Sequence, residues 1–391
     1  MRLEDVAFLA GDAGPEARAA ARALRDKPLH QRHRALTRAY DSDRARVLLE
    51  QDDLERRAAA KVPEPTQWLF EREALEQATA WAVAAERATR WPGTAHAPLV
   101  DVGSGAGVDA LAVAVTGRPV VAYDRDPVCA ALLRANAVAL GVADLVEVRI
   151  EEAPRDLPAD LVFVDPDRRS GGQRQTSAED FSPPPAAWRT WSERARALVV
   201  KVAPATTWPD DGGDAPPFEV VSLAGRARER RLLLAGFADA APRRALALPE
   251  GTSIEGAGDE ELPEVGALEA GVWLLDPDTA VHHADLVPAL ALREGLTTPC
   301  AGRTDYLLGE APTPTAPGTW LRIEAVLPPD AKRVNRWFAE AGVGRVEVRK
   351  RGVDDRAEAW RKKLRLGGPH AGHLVLLKGS TGRPLACVGR V

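Results

Sequence analysis

The run Leu99-Val100-Asp101-Val102-Gly103-Ser104-Gly105-Ala106-Gly107 constrains this chain more than any other stretch. Apolar residues end near an acid, three glycines alternate with small residues, and Val108 to Val115 continues with helical spacing. This predicts a strand, a tight loop and a helix. Glycine is needed where backbone turns sharply and lies against a ligand, because a side chain would block the approach. A dinucleotide-binding loop of the Gly-x-Gly-x-x-Gly type would want its third glycine at position 108, where Val108 stands. The acid ahead of the glycines, Asp101, suits a ligand with a cationic amino end better than a pyrophosphate. Both details favour S-adenosylmethionine (SAM) over NAD.

The following residues continue the alternation of strand and helix. Pro119 to Tyr123 reads as a second strand ending at Asp124, which lies 17 residues beyond Gly107. A carboxylate at that strand tip can accept both hydroxyls of a ribose, and Arg125 stands beside it. Pro127 to Gly141 has helical periodicity, and Leu145 to Ile150 alternates like a third strand. Glu151-Glu152-Ala153 closes that strand. Glu152, or Glu151 equally, could bind an adenine amino group. Asp160 to Val164 reads as a fourth strand ending in Asp165-Pro166-Asp167-Arg168-Arg169, and Ala197 to Val202 and Arg231 to Phe237 as later strands.

This series resembles a class I SAM-dependent methyltransferase over roughly residues 97 to 237. The resemblance implies an α/β, Rossmann-like core with SAM as cofactor. It places Asp101, Gly103, Ser104, Gly105 and Gly107 in the first motif and Asp124 with Arg125 at the ribose. Glu152 falls on the adenine side, and Asp165 opens the fourth motif. Methyltransferases of amines often carry [Asn/Asp]-Pro-Pro-[Tyr/Phe] there, where the acid orients the amine and the ring stacks on a base. This chain keeps Asp165 and Pro166 but has Asp167 and Arg168 in the other two places. A flipped base clamped by an aromatic ring is therefore not expected. Arginines could instead hold a phosphate or stack by their planar faces, and Asp167 could be a base or a salt-bridge partner of Arg168 or Arg169. Ser170 to Arg174 is expected to be a polar loop over the site. Lys201 could add charge there or be solvated. Methyl transfer depends mainly on in-line positioning, so Asp165, Pro166, Asp167 and Arg168 are the candidate catalytic residues, Asp165 as the orienting acid.

At 391 residues the chain is long enough for two or three domains. Its three cysteines (Cys129, Cys300, Cys387) are scattered, without metal spacing or a place in any motif, which argues for a reducing compartment and against covalent C5 chemistry on a pyrimidine. Met1 to Ala10 lacks the pattern of a signal peptide, and no apolar run approaches the ~20 residues of a membrane span. A cytoplasmic location and no membrane partner are expected. Residues 1–95 read as an N-terminal helical domain, with a break at Pro63 and Pro65 and a long helix from Trp68 to Trp91. Residues 96–240 would be the SAM-binding core and 241–317 a connecting segment. Within that segment Glu250 to Gly266 reads as a flexible connection, Val281 to Leu296 as a helix and Ala311 to Gly318 as a linker.

Residues 318–391 hold 16 Lys and Arg against 7 Asp and Glu, whereas residues 1–95 balance at 16 each and the middle carries −14. A basic end on an acidic body suggests a polyanionic partner. Trp320 to Val326, Arg345 to Lys350, His373 to Leu377 and Leu385 to Gly389 read as strands, Ala331 to Ala341 and the basic Arg356 to Leu364 as helices. This small α+β module, with Arg351-Gly352-Val353-Asp354 and Leu364-Arg365-Leu366, resembles the THUMP-like domain that follows a methyltransferase core in one bacterial family. Trp68-Leu69-Phe70 and Ala74 to Thr79 are similar to that family too. THUMP and related domains usually deliver RNA, often tRNA, so the resemblance implies an RNA methyltransferase. A protein or small-molecule acceptor, or a non-catalytic RNA-binding protein with a vestigial SAM site, are the alternatives.

Overall fold

The computed structural model describes residues 1–94, 96–167, 169–170, 173–174, 181–206, 215–237, 239–302, 306–353 and 357–390, with only the backbone described at 169–170 and 173–174. The chain falls into two units: Met1–Pro216 with Arg231–Asp239, and Pro217–Arg230 with Ala240–Val391.

The first unit opens with six helices: α1 (Leu3–Ala10), α2 (Gly14–Arg22), α3 (Leu29–Leu36), α4 (Ser42–Ala58), α5 (Arg72–Gln77) and α6 (Trp81–Ala88). Then follow β1 (Leu99–Val102), α7 (Val108–Ala114), β2 (Val120–Tyr123), α8 (Pro127–Ala139), β3 (Val146–Arg149) and β4 (Leu161–Val164). The short β5 (Arg169–Ser170) and β6 (Gln173–Arg174), α9 (Pro185–Ser192) and β7 (Ala197–Val202) complete the series. Parallel pairing gives the strand order β7-β4-β1-β2-β3. Every residue of β1, β4 and β7 is buried, as expected of parallel strands covered on both faces. The chain runs from β1 outward through β2 to β3, then returns to the other side of β1 as β4. Such a reversal opens a crevice at the carboxyl ends of the strands. Asp101, Asp124, Asp165 and Lys201 all lie at or near those ends.

The amino-terminal helices share one apolar core with this sheet: Leu9, Leu48, Leu54, Trp68 and Phe70 pack in the same cluster as Leu111, Leu132, Leu133 and Phe163. A buried amide joins the two sets. Asn136 on α8 accepts from Leu69 N at 2.7 Å and donates to Leu69 O and Ala106 O, both at 3.0 Å.

The long helix expected from Trp68 to Trp91 is not formed. Its segment starts as extended chain, and the helical part is split into α5 and α6. The Lys61 ammonium donates to the carbonyls of Leu75, Glu76 and Ala78 at 2.7–2.8 Å, satisfying groups that a further helical turn would have used. Ala78 and Ala80 are extended, with ψ of 135° and 136°. Thr79 lies between them. Apolar spacing survives the break, so the periodicity conceals it.

In the second unit β8 (Phe218–Leu223) comes first, and β9 (Arg226–Ala235) passes from the second unit into the first after Arg230. Next are β10 (Arg243–Leu248), β11 (Thr252–Gly256), β12 (Trp273–Pro277), α10 (Thr279–His283), α11 (Val287–Glu294) and β13 (Leu307–Gly309). The chain ends with β14 (Gly318–Arg322), β15 (Ala325–Leu327), α12 (Ala331–Glu340), β16 (Val343–Lys350), α13 (Ala357–Lys363), β17 (His370–Lys378) and β18 (Pro384–Arg390). Three expectations change here. Part of the stretch expected to be flexible is β11, paired antiparallel with β10 across a turn in which Gly251 has φ 72°. The helix expected from Val281 to Leu296 breaks where Asp285 takes φ 56°. The strand expected from Trp320 to Val326 divides between two sheets, because Ile323 N donates to Val272 O and Glu324 N to Val388 O, both at 2.9 Å. Thus β14 pairs with β12 and β15 with β18, in a four-stranded sheet β15-β18-β17-β16. Val334 and Phe338 of α12 and Trp360 of α13 pack on Val348, Leu374 and Leu376 of that sheet. Among the described residues no helix is long and apolar enough to cross a membrane.

Asn136→Ala would strip partners from three buried backbone groups. Leaving a buried polar group unpaired costs on the order of 1–3 kcal/mol, and we expect denaturant unfolding to report a loss of roughly 3 kcal/mol. An unchanged unfolding midpoint would show that the amide does not join these segments.

Candidate active site

The three glycines of the loop after β1 have φ of 82°, 54° and 91°, backbone that L side chains rarely adopt. Each faces something different. A Cβ on Gly103 would stand 2.3 Å from the carbonyl oxygen of Asp165, and one on Gly107 would stand 2.6 Å from Leu133 Cγ. A Cβ on Gly105 would meet nothing within 4 Å. Gly103 therefore lets the end of β4 close onto the loop, Gly107 lets α8 pack, and Gly105 presents backbone to open space.

Asp101 is 1% exposed, and neither of its carboxylate oxygens has a hydrogen-bond partner among the described residues. The same holds for the Ser104 hydroxyl. Buried acceptors without partners are costly and mark a site that a ligand completes. Burial pushes the Asp101 carboxyl well above the usual range, with the charges of Asp109 and Asp165 adding and those of Arg87 and Lys201 opposing. Asp124 accepts from Gly105 N at 2.7 Å through Oδ2 and from Asp126 N at 2.9 Å through Oδ1. Its carboxyl is raised by burial, against the pull of those two amides. A carboxylate offers about four lone-pair sites, so two hydroxyls can still be accepted.

Arg125 reaches toward two acids at the rim, with Nη1 3.8 Å from Glu152 Oε1 and Nη2 3.7 Å from Asp167 Oδ2. The Glu152 side chain is 79% exposed, so this acid stands at the edge of the crevice. Asp167 thus meets Arg125. Exposed pairs of this kind contribute little to stability. Its backbone is paired with Ser182, N to O at 2.8 Å and O from N at 3.1 Å. Pro166 is buried. Arg168 and the side chain of Arg169 lie outside the described residues. So do residues 171–172 of the expected Ser170–Arg174 loop and the side chains of the rest, while β5 and β6 pair through backbone.

Asp165 follows β4, and its Oδ2 is 2.5 Å from Lys201 Nζ. Lys201 is not solvated: it is 8% exposed and donates to Thr79 Oγ1 at 2.9 Å. Thr79 in turn donates to Asp109 Oδ2 at 2.8 Å. Asp109 is paired with Arg87, whose guanidinium stands 4.0 Å from the ring centre of Phe163. Sequence reasoning missed Thr79, Arg87 and Asp109 and left Lys201 open. One signal was present for Lys201, since a cation near the end of an otherwise apolar, buried strand has to find a partner.

The C-terminal region uses its cations in two ways. Arg349 and Arg351 converge on Asp276 at 2.7 and 2.9 Å, and Arg390 pairs with Glu324. Lys332, Arg333 and Arg336 of α12, with Arg361 and Lys362 of α13 and the following Arg365, are exposed and form no ion pair among the described residues. Asn335 joins the two groups by donating to Lys363 O at 2.9 Å and accepting from Arg365 N at 2.8 Å. Among the described residues no cluster of His, Cys, Asp and Glu could hold a metal.

Residues 318–390 match the family described as THUMP domain-like. Over 345 residues the chain is 36% identical to uncharacterized S-adenosylmethionine-dependent methyltransferases from two strains of Mycobacterium tuberculosis, covering 85% of this chain and 92% of each relative. A crystal structure assigned as a methyltransferase from Porphyromonas gingivalis superposes with a TM-score of 0.74 over 96% of this chain and 98% of its own, at 17% identity. That likeness shows a shared fold, and the buried acceptors and open glycine backbone fit SAM as the cofactor. The chain belongs to the family of SAM-dependent methyltransferases, with a THUMP-like domain at its C-terminal end.

Proposed function

We propose that this methyltransferase acts on a structured RNA such as a tRNA, which its basic C-terminal domain holds. The observation that carries this reading is the set of exposed cations on α12 and α13 of the THUMP-like domain, which form no ion pair among the described residues. Spaced cations with little competing acid suit a phosphate backbone.

SAM supplies an electrophilic methyl group on a sulfonium. Around it, the buried Asp101 carboxylate attracts the cationic amino end, and the backbone of Gly103, Ser104, Gly105 and Gly107 lets the ligand lie close. Asp124 accepts from the ribose hydroxyls, Arg125 flanks it, and Glu152 takes the adenine amino group. Asp165 faces the acceptor and orients its nucleophile, with Pro166 and Asp167 shaping that side of the site; Arg168, the fourth candidate from the sequence, lies outside the described residues. A general base is needed only where the nucleophile must lose a proton before attack.

The deciding experiment is transfer of label from methyl-tritiated SAM into total small RNA from cells lacking this gene. Protein and metabolite extracts from the same cells run in parallel, each beside Asp165→Ala. We expect label in RNA, lowered by on the order of a hundredfold in the variant, as for loss of an orienting group. Label confined to protein or metabolites would replace RNA as the acceptor class. SAM binding without label in any extract would support the non-catalytic alternative.

Two further outcomes are expected. Changing Lys332, Arg333 and Arg336 together to Gln should lower the slope of log affinity against log salt by roughly 2–3 in RNA binding, about 0.7–0.9 for each phosphate no longer neutralised. An unaltered slope would remove α12 from the interface. In calorimetry, SAM affinity should weaken as pH falls, because protonating the raised Asp101 removes its attraction for the ammonium. Asp101→Asn should bind more weakly and show less of this dependence, the remainder belonging to Asp124. A variant that binds like wild type at every pH would refute the assigned role of Asp101.

A further inference from the structure

Lys201 is the one cation of β7, a strand whose six residues are all buried. An ammonium only donates. It donates to Asp165 Oδ2 at 2.5 Å and to Thr79 Oγ1 at 2.9 Å. The Thr79 hydroxyl therefore accepts from Lys201 and sends its own proton to Asp109 Oδ2, 2.8 Å away. That order admits one direction for every hydrogen bond. Asp109 continues to Arg87, and Arg87 lies on the ring of Phe163, two residues before Asp165 on β4. The series starts just past the end of β4 and ends on that strand, and it draws on α6, α7, β7 and the link between α5 and α6.

We propose that Lys201 and Thr79 are positioning residues for methyl transfer, forming a clamp that fixes the Asp165 carboxylate toward the acceptor and keeps it ionised. The inference rests on Asp165 being the acceptor-facing acid. Among the described residues, the charged groups around the pair are Asp101 from β1, Asp109 from α7 and Arg87 from α6. Three carboxylates thus share two cations. Removing Lys201 would take away the ammonium 2.5 Å from Asp165 Oδ2, and proton uptake by Asp165 would move to higher pH. A protonated Asp165 cannot accept a hydrogen bond through the oxygen that carries the proton, so its grip on an N–H or O–H of the acceptor weakens.

The test uses the full chain carrying 13C at aspartate carboxyl carbons, with the Asp165 signal assigned by its absence in Asp165→Asn. We expect Asp165 of the wild type to stay ionised through the neutral range. In Lys201→Met its midpoint should rise by roughly one to three pH units, the effect of losing an adjacent opposite charge. Lys201→Arg should restore the ionised state. Should Lys201→Met fail to fold, the isosteric Thr79→Val carries the test, with Asp165 ionised but free to turn.

Rates are read by tritium transfer to the same small RNA. Lys201→Met should lower kcat about a hundredfold with KM for RNA near wild type, and should gain a limb that rises with pH. Thr79→Val should lower kcat without that limb, and Thr79→Ser should recover it. A structural role alone would produce neither the new limb nor the recovery. An unmoved Asp165 titration in Lys201→Met, or wild-type kcat in both Lys201→Met and Thr79→Val, would overturn the clamp. If the titration moves but no RNA is labelled, the RNA reading fails while the hold on Asp165 stands. If RNA is labelled and the titration does not move, the reverse follows.

Discussion

There is no room for a β-carbon between Gly103 and the carbonyl of Asp165, which an added atom would approach to 2.3 Å. This close approach brings together the loop after β1 and the end of β4, the two sides of the crevice. Asp165 N also donates to Val102 O at 2.9 Å, so the backbone of the acid is held to β1 on the same side. The distance between the glycine loop and Asp165 is therefore set by backbone, which relaxes little, rather than by long side chains. Where reacting atoms must line up, a misplacement of about 1 Å can cost a hundredfold in rate, so a rigid separation matters more here than a strong interaction.

The parts of this arrangement that repeat locally were legible in the sequence. Strand, glycine loop and helix at Leu99 to Val115, and the strands ending at Asp124 and Asp165, follow from apolar runs stopped by acids and glycines, and they formed where expected. Long-range partners leave no such trace. Thr79 reads as one position of a helical stretch, and nothing near it in sequence reveals that Lys61 caps the carbonyls at the end of α5 or that Lys201 lies across the fold. Asp109 reads as an ordinary first-turn acid of α7. The clamp comes from residues separated by up to 122 positions, and one sequence without its fold cannot bring them together. The same limit explains β14 and β15. Their apolar alternation runs without interruption, and only the competing partners β12 and β18 divide it.

Charge counting was informative at the level of the region and misleading at the level of residues. The excess of cations after residue 318 is real, yet two of those cations, Arg349 and Arg351, are tied to Asp276. Their pairing holds β16 to β12 within the second unit. Cations on α12 and α13 are left to solvent, and Asn335 keeps the two helices in register. A polyanion would meet the second group, whereas substitution in the first would disturb packing.

Among the described residues, the charges of the crevice form an incomplete set. Asp101, Asp109 and Asp165 stand against Arg87 and Lys201, and Asp101 alone among the three has neither a hydrogen bond nor an ion pair among the described residues. Opposite unit charges at about 4 Å attract by roughly 4 kcal/mol at the effective dielectric of a protein surface, and by more where water is excluded. Left without a cation, such an acid is easier to protonate, and burial with its two acidic neighbours pushes the Asp101 carboxyl well above the usual range. A ligand carrying positive charge into the crevice gains that attraction and favours the ionised form of Asp101. The arrangement thus discriminates by charge as well as by shape: a cationic ligand completes the set, while a neutral one of the same outline would leave Asp101 as it was.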